Sequence, residues 1–210
     1  MTHDAERNAL VDALSRSGRV TRESVLEAIR TVSRHEFVPE EYRDRAYEDR
    51  PLPIGHDQTV SAPHMVAIIC DHLALSPGDR VLEIGTGCGY HAAVTAELVG
   101  AGNVYSIEFQ SELADAARER LARLGYGGVH VRAGDGHEGW PEHAPYDAAY
   151  LTCAAASLPD SVVEQVRPGG RVVAPVGTDV QELVVVEKGE DGSLDRRTDG
   201  RVRFVPMRGE

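Results

Sequence analysis

The run Glu83-Ile84-Gly85-Thr86-Gly87-Cys88-Gly89-Tyr90 sets an acid before three glycines at alternating positions, directly after a short apolar stretch. Glycines so spaced permit positive φ and let a ligand approach the backbone where a Cβ would clash. A nicotinamide-dinucleotide fingerprint would carry its third glycine at position 90, where Tyr90 stands instead. Glu108 closes the next apolar stretch, about 20 residues on, where an acid binds ribose hydroxyls in nucleoside-binding βαβ units. Gly134-Asp135-Gly136 follows a third stretch. An Asp between glycines can reach an adenine amino group, although Asp-Gly alone also favours a plain β-turn. Three such elements, in order and at the ends of three successive strands, point to a nucleoside.

A second group lies upstream, in Leu52-Pro53-Ile54-Gly55-His56-Asp57-Gln58-Thr59-Val60-Ser61-Ala62-Pro63-His64-Met65. Ser61 precedes Ala62-Pro63 and the apolar positions Met65, Val66, Ile69 and Leu73, and so reads as a helix N-cap. A helix N-terminus presents free N–H groups and positive potential, a suitable cradle for a substrate carboxylate. His64 is a single histidine able to orient a neighbour. No His-Glu-x-x-His or comparable spacing occurs, so no metal is expected.

The elements that must position these residues change character along the chain. Leu10, Ala13, Leu14, Val25, Leu26, Ile29 and Val32 recur at helical spacing until Pro39 ends the pattern. Tyr47 to Ser61, with Pro51, Pro53 and Gly55, reads as a loop, and its length makes it a candidate closing element. From Pro77 strands and helices alternate. Strands are predicted at Val81 to Ile84, Val104 to Ile107, Val129 to Arg132, Tyr146 to Thr152, Val172 to Val176, Leu183 to Val186 and Val202 to Val205, and helices at Tyr90 to Val99 and Glu112 to Leu124. This alternation implies a doubly wound α/β fold, a mainly parallel sheet with helices on both faces, which binds ligands at the carboxyl ends of its strands.

Composition narrows the partners. A net charge of −12 argues against nucleic acid, whose binding rests on clustered Lys and Arg. Lys188 is the only lysine beside this excess of acid, the composition of a salt-adapted protein. No apolar run is long enough to span a bilayer, and Met1 to Asn8 carries acids without an apolar core, so a cytoplasmic location without membrane attachment is expected. Cys70, Cys88 and Cys153 are too widely spaced for a disulfide framework or a Cys-x-x-Cys pair and read as reduced apolar residues.

With the glycine turn, Glu108 and Asp135 in this order, the chain resembles a class I (Rossmann-like) S-adenosylmethionine-dependent methyltransferase. The upstream run, with Arg34-His35-Glu36-Phe37-Val38-Pro39, Ala46-Tyr47, Gln165-Val166-Arg167-Pro168-Gly169-Gly170 and Pro175-Val176-Gly177, is similar to the protein-L-isoaspartate O-methyltransferases almost from end to end. The resemblance implies a single domain over 1–210, with an N-terminal helical segment (1–50), an active-site loop and helix (51–75) and a donor-binding α/β core (76–210). It implies that Gly85, Thr86, Gly87 and Gly89 cradle the methionine moiety, that Glu83 lies near its ammonium group, that Glu108 holds the ribose, and that Asp135 with Gly136 meets the adenine. It makes Ser61 the catalytic residue, beside donor and incoming carboxylate, with Thr59 and His64 close by as donor-binding residues. The family usually has glycine where Asp57 stands.

The implied activity is methyl transfer from S-adenosylmethionine, leaving S-adenosylhomocysteine, to the free carboxyl of L-isoaspartyl residues in damaged proteins and peptides, by a cytoplasmic monomer. A carboxylate with a pKa near ~4 is already an anionic nucleophile at neutral pH, so no general base is needed. Leu151-Thr152-Cys153-Ala154-Ala155-Ala156 occupies the place where adenine-N6 methyltransferases carry Asn- or Asp-Pro-Pro-Tyr. The alternatives are a methyltransferase for peptide aspartate or a small carboxylate, and a non-catalytic nucleoside-binding module.

Overall fold

The computed structural model describes residues 2–209. Met1 and Glu210, the ends of the single domain read from the sequence, lie outside the described residues. Two helices come first, α1 (His3–Arg16) and α2 (Glu23–Thr31), the second burying Val25, Leu26, Ala28 and Ile29 along one stripe. Short 3₁₀ turns follow at Arg34–Glu36 and Glu40–Arg45. A hairpin of β1 (Leu52–Gly55) and β2 (Gln58–Val60) then leads into α3 (Pro63–Leu73). The remainder alternates: β3 (Val81–Ile84), α4 (Tyr90–Val99), β4 (Val104–Glu108), α5 (Ser111–Arg123), β5 (His130–Ala133), β6 (Tyr146–Leu151), α6 (Asp160–Glu164), β7 (Val166–Val176), β8 (Gln181–Lys188) and β9 (Leu194–Val202).

The main sheet has the order β5-β4-β3-β6-β7-β8-β9. From β5 to β7 all neighbours are parallel, while β8 and β9 add antiparallel. β3 and β4 are buried at every position, as strands covered on both faces must be. The N-terminal helices and α4 contribute to the core on one face, and α6 with the segment around Trp140 to that on the other. This is the doubly wound, mainly parallel architecture expected from the sequence. Strand order reverses between β3 and β6, and the carboxyl ends of β3 and β4 at that point carry the glycine turn and Glu108.

The strands depart from the sequence reading most at three places. Within the expected loop Tyr47 to Ser61, a two-residue turn at His56-Asp57 joins β1 to β2, both residues having positive φ (52° and 58°). Such a turn matches strand twist but suits Asn-Gly or Asp-Gly, so position 57 demands backbone tolerance more than charge. Asp57 is exposed at the tip. Asp57→Gly is therefore expected to relieve a left-handed residue, a gain of at most ~1 kcal/mol after glycine's larger unfolded-state entropy is subtracted. Thermal unfolding should show a small rise; a fall would mean that the Asp57 side chain stabilises the turn.

The second departure is β9, Leu-Asp-Arg-Arg-Thr-Asp-Gly-Arg-Val, whose polar sequence has no apolar alternation to announce a strand. Its register against β8 supplies what side chains do not. The third is Val202 to Val205, predicted as a strand. Only Val202 belongs to β9, and beyond it the chain makes an isolated bridge, Ala154 with Pro206, held by Ala154 N–H to Val205 O and Met207 N–H to Ala154 O (both 2.8 Å).

Candidate functional site

The glycine turn leaves β3 with its backbone tied to β4: the Gly85 and Thr86 N–H groups both donate to Ile107 O, at 2.8 and 3.3 Å. Gly85 has φ 98°, and a Cβ there would lie 2.3 Å from Thr152 Oγ1, so only glycine fits against the end of β6. Gly87 N–H donates to Glu108 Oε2 at 2.8 Å. Gln110 N–H donates to Oε1 at 3.0 Å. Glu108 is 7% exposed and lines the cavity beside the turn. Two backbone donors orient the carboxylate, and each oxygen keeps acceptor capacity for a ligand hydroxyl.

That cavity is bounded by Ile84, Gly85, Gly87, Glu108 and Gly136, by Ile54, Gln58 and Thr59 of the hairpin, and by Phe109 and Val205 to Arg208. Its apolar walls with one carboxylate at the sheet edge fit an adenosine, the hydroxyls on Glu108 and the base among the aliphatic side chains. Gly136 is required here, since a Cβ would fall 2.2 Å from Ile84 Cγ2. Asp135 turns elsewhere: its carboxylate accepts from the His137 N–H at 2.8 Å and lies 2.9 Å from His137 Nδ1, and Gly209 passes against it.

Glu83 does not face this cavity. It is wholly buried, accepting from Tyr150 OH at 2.9 Å and from Ser106 Oγ, while Tyr150 OH also lies 2.9 Å from Thr95 Oγ1. Thr86 turns inward as well, its Oγ1 2.6 Å from Ser106 Oγ. Gly89 packs under Leu121 of α5. Glu83, which the resemblance places near the methionine ammonium, stands buried behind the turn and cross-links β3, β4 and β6. Burial pushes the Glu83 carboxyl up to about 8, against the hydrogen bonds from Ser106 and Tyr150 and with the nearby Glu108 charge adding to the rise. A carboxyl raised on folding favours the native state while protonated, so this contribution is full below its ordinary pKa and is lost as pH rises towards 8. Glu83→Gln should therefore gain stability relative to the parent chain as pH goes from about 5 to 9. Parallel unfolding-temperature curves for the two proteins would remove Glu83 as the titrating group.

Ser61 is not the cap of α3: that position is Ala62, with no side-chain cap bond. The open donors are met from a distance, by Asp49 Oδ1, which accepts from the His64 N–H at 2.9 Å and lies 2.8 Å from His64 Nδ1. Burial pushes the Asp49 carboxyl up, but its hydrogen bonds with His64 outweigh this and leave it below its ordinary value. Ser61 instead sits where two spaces meet. With Thr59, Thr86 and Gly85 it lines a small chamber beside the glycine turn, and with His64 and Met65 it lines a wide outer groove closed on its far side by Arg201 to Pro206. Thr59 faces both the nucleoside cavity and the chamber, whereas His64 lines only the groove.

Arg34 holds this arrangement in place. It is fully buried, its guanidinium donating to Ala46 O, to Arg50 O at 3.1 Å and to Ser61 O at 3.1 Å, with Tyr90 beneath it at 5.6 Å. One planar cation thereby pins both ends of the segment from Ala46 to Ser61. No local pattern announces this, because an arginine just after a helix reads as surface. Asp49, Thr152, Phe109 and the Val205–Arg208 tail are likewise not marked as site residues by the sequence; only Phe109, an apolar residue directly after Glu108, offers a signal. Among the described residues no cluster of His, Cys, Asp or Glu could hold a metal, and none of the three cysteines is in a disulfide.

The description protein-L-isoaspartate(D-aspartate) O-methyltransferase matches residues 5–210. The chain is 54% identical to protein-L-isoaspartate O-methyltransferase 2 of Archaeoglobus fulgidus, over 100% of this chain and 96% of the relative. The chain belongs to the protein-L-isoaspartate(D-aspartate) O-methyltransferase family. A relative of the same name from Methanopyrus kandleri is 52% identical over 97% of this chain and 92% of its own length. Among solved structures, a protein-L-isoaspartate O-methyltransferase superposes with a TM-score of 0.89 at 31% identity, covering 97% of this chain, which spans 66% of that longer one. A second, from Plasmodium falciparum and described as in complex with S-adenosyl-L-homocysteine, has a TM-score of 0.84 at 24% identity, covering 96% of this chain and 98% of that one, and carries the fold alone. A glycine turn backed by a buried acid, with a second acid at the end of the next strand, is how this member of the protein-L-isoaspartate(D-aspartate) O-methyltransferase family builds its sheet edge.

Proposed function

We propose that the chain transfers a methyl group from S-adenosylmethionine to the free carboxyl of L-isoaspartyl residues in proteins and peptides. One observation carries the reading: Ser61 is shared between the chamber of the glycine turn and the outer groove, so groups entering from the two sides meet at one residue. Glu108 would hold the ribose hydroxyls, Gly136 and Ile84 the adenine, and the Gly85–Gly87 backbone with Thr59 the methionine portion. When bound, S-adenosylmethionine supplies an electrophilic methyl on a cationic sulfur. The protein's own task is then to orient an already anionic carboxylate and to exclude water around the charges, which calls for alignment and no general base. Ser61 is the aligning group, held by Arg34 through its carbonyl. The −12 charge, and the lack among the described residues of any helix long and apolar enough to cross a membrane, favour a monomer acting on proteins in the cytoplasm rather than on nucleic acid or lipid.

The test compares matched isoaspartyl and aspartyl peptides, with flanking residues uncharged, under labelled donor. In isoaspartate the free carboxylate is one methylene nearer the chain, and a misplacement of about 1 Å can cost about 100-fold in rate, so only the isoaspartyl peptide should be methylated efficiently. The product ester should release labelled methanol in mild base. Ser61→Ala should lower turnover about tenfold or more while leaving donor affinity near the parent value. Equal methylation of both isomers, or a base-stable product, would overturn the assignment.

A further inference from the structure

The outer groove encloses about 920 Å³, close to the upper limit of roughly 300–1,000 Å³ for small-molecule sites, and it is open along its length. Such a shape suits several residues of extended peptide on either side of the reacting carboxylate. Its charge runs against that of the molecule. The chain carries 34 acids and 22 lysines and arginines, yet the groove is lined by three arginines, Arg19, Arg201 and Arg203, and one acid, Asp199. Asp199 is already engaged, 2.8 Å from His72 Nε2 and 3.6 Å from Arg19. The other two cations form no ion pair within 4.0 Å among the described residues, although Glu182 stands opposite Arg201 across the β8–β9 register. Arg201, in β9, and Arg203, just past its end, are both exposed and line the same groove.

We propose that Arg201 and Arg203 select isoaspartyl peptides with acidic flanking residues and disfavour those flanked by lysine. This rests on the function proposed above and names the substrate subclass for that site. Guanidinium groups without intramolecular partners bind a peptide carboxylate without first giving up an ion pair, and their planar fork suits two-point contact. Elsewhere the excess of acid repels anionic peptides, so the groove is where the molecule can admit them.

The experiment measures kcat/KM for three peptides differing only in the residues flanking the isoaspartate: neutral, Asp/Glu-containing and Lys-containing. Exposed ion pairs contribute modestly, so two of them should favour the acidic over the lysine peptide by roughly fivefold to tenfold at low salt, and molar KCl should flatten the ratio. In the double variant Arg201→Glu, Arg203→Glu the ratio should invert, with donor affinity, read by S-adenosylhomocysteine titration, reporting that the protein is folded. If the double variant fails to fold, Arg203→Gln alone should reduce the ratio part-way. A ratio near one in the parent chain, or one that neither variant changes, overturns the inference. Failure of the neutral isoaspartyl peptide to react at all would instead overturn the function itself.

Discussion

Arg34→Met is expected to lower the unfolding temperature by roughly 10 °C and to reduce methyl transfer more than donor binding. Replacing a buried charge by an apolar side chain of similar volume can be neutral, because the desolvation of the ion is recovered. Burial does act on Arg34, drawing its pKa down from the ordinary arginine value. The three carbonyls of Ala46, Arg50 and Ser61 decide the sign. Methionine offers them nothing; the buried Ala46 acceptor left without a partner costs about 1–3 kcal/mol and the part-buried carbonyls of Arg50 and Ser61 add less each, so the sum reaches a few kcal/mol of a total near 5–15. For a chain of this size each kcal/mol moves the midpoint by about 2–4 °C. Arg34→Lys keeps the charge but not the fork, and should recover only part of the loss. Turnover suffers beyond stability because the freed segment ends at Ser61. Thermal unfolding and single-turnover methylation, measured on Arg34→Met and Arg34→Lys, check this; a midpoint and a rate close to the parent's in both would remove Arg34 from its positioning role.

Glu108→Ala is expected to weaken S-adenosylhomocysteine binding by about 100-fold or more. Two hydroxyl hydrogen bonds to a carboxylate are worth roughly 1.5–3 kcal/mol each, and every 1.4 kcal/mol is a factor of ten. The Gly87 and Gln110 N–H groups would also lose their acceptor, so the turn itself loosens. Glu108→Gln separates these effects: one amide oxygen still accepts while the charge is gone, giving an intermediate affinity. Since the Glu108 charge helps to raise the Glu83 carboxyl, both variants should also bring Glu83 closer to its ordinary pKa. Calorimetry showing parent-like affinity in folded Glu108→Ala would take Glu108 out of the donor site.

The architecture was legible because β3 to β7 and their helices carry strong local patterns, apolar runs bounded by glycine and amphipathic helices. Glu108 and Gly136 were legible as residues of the cavity at the sheet edge because a glycine or an acid where a parallel strand ends has few other tasks. The burial and partners of Glu83 were not legible, for a physical reason. Sequence fixes its address at the end of β3 but not which face it takes, and its partners Ser106 and Tyr150 come from neighbouring strands. The N-cap of α3 was misassigned because sequence reveals only local oxygen acceptors, whereas Asp49 reaches the helix from 15 residues away. β9 was invisible because it borrows its order from β8.

The polar character of β9 bears on how the molecule keeps company with its own substrates. β9 is the outermost strand beyond β8, and every residue from Leu194 to Thr198 is exposed, with Asp195, Arg196 and Arg197 in succession. An unpaired strand edge is a template on which another extended chain can add, and charged side chains along it are the usual deterrent. An enzyme that works on isoaspartyl residues within other polypeptides meets extended chain as it binds them. Acid and arginine side chains crowded along this border discourage such chains from adding to the sheet while they are held close enough to be modified.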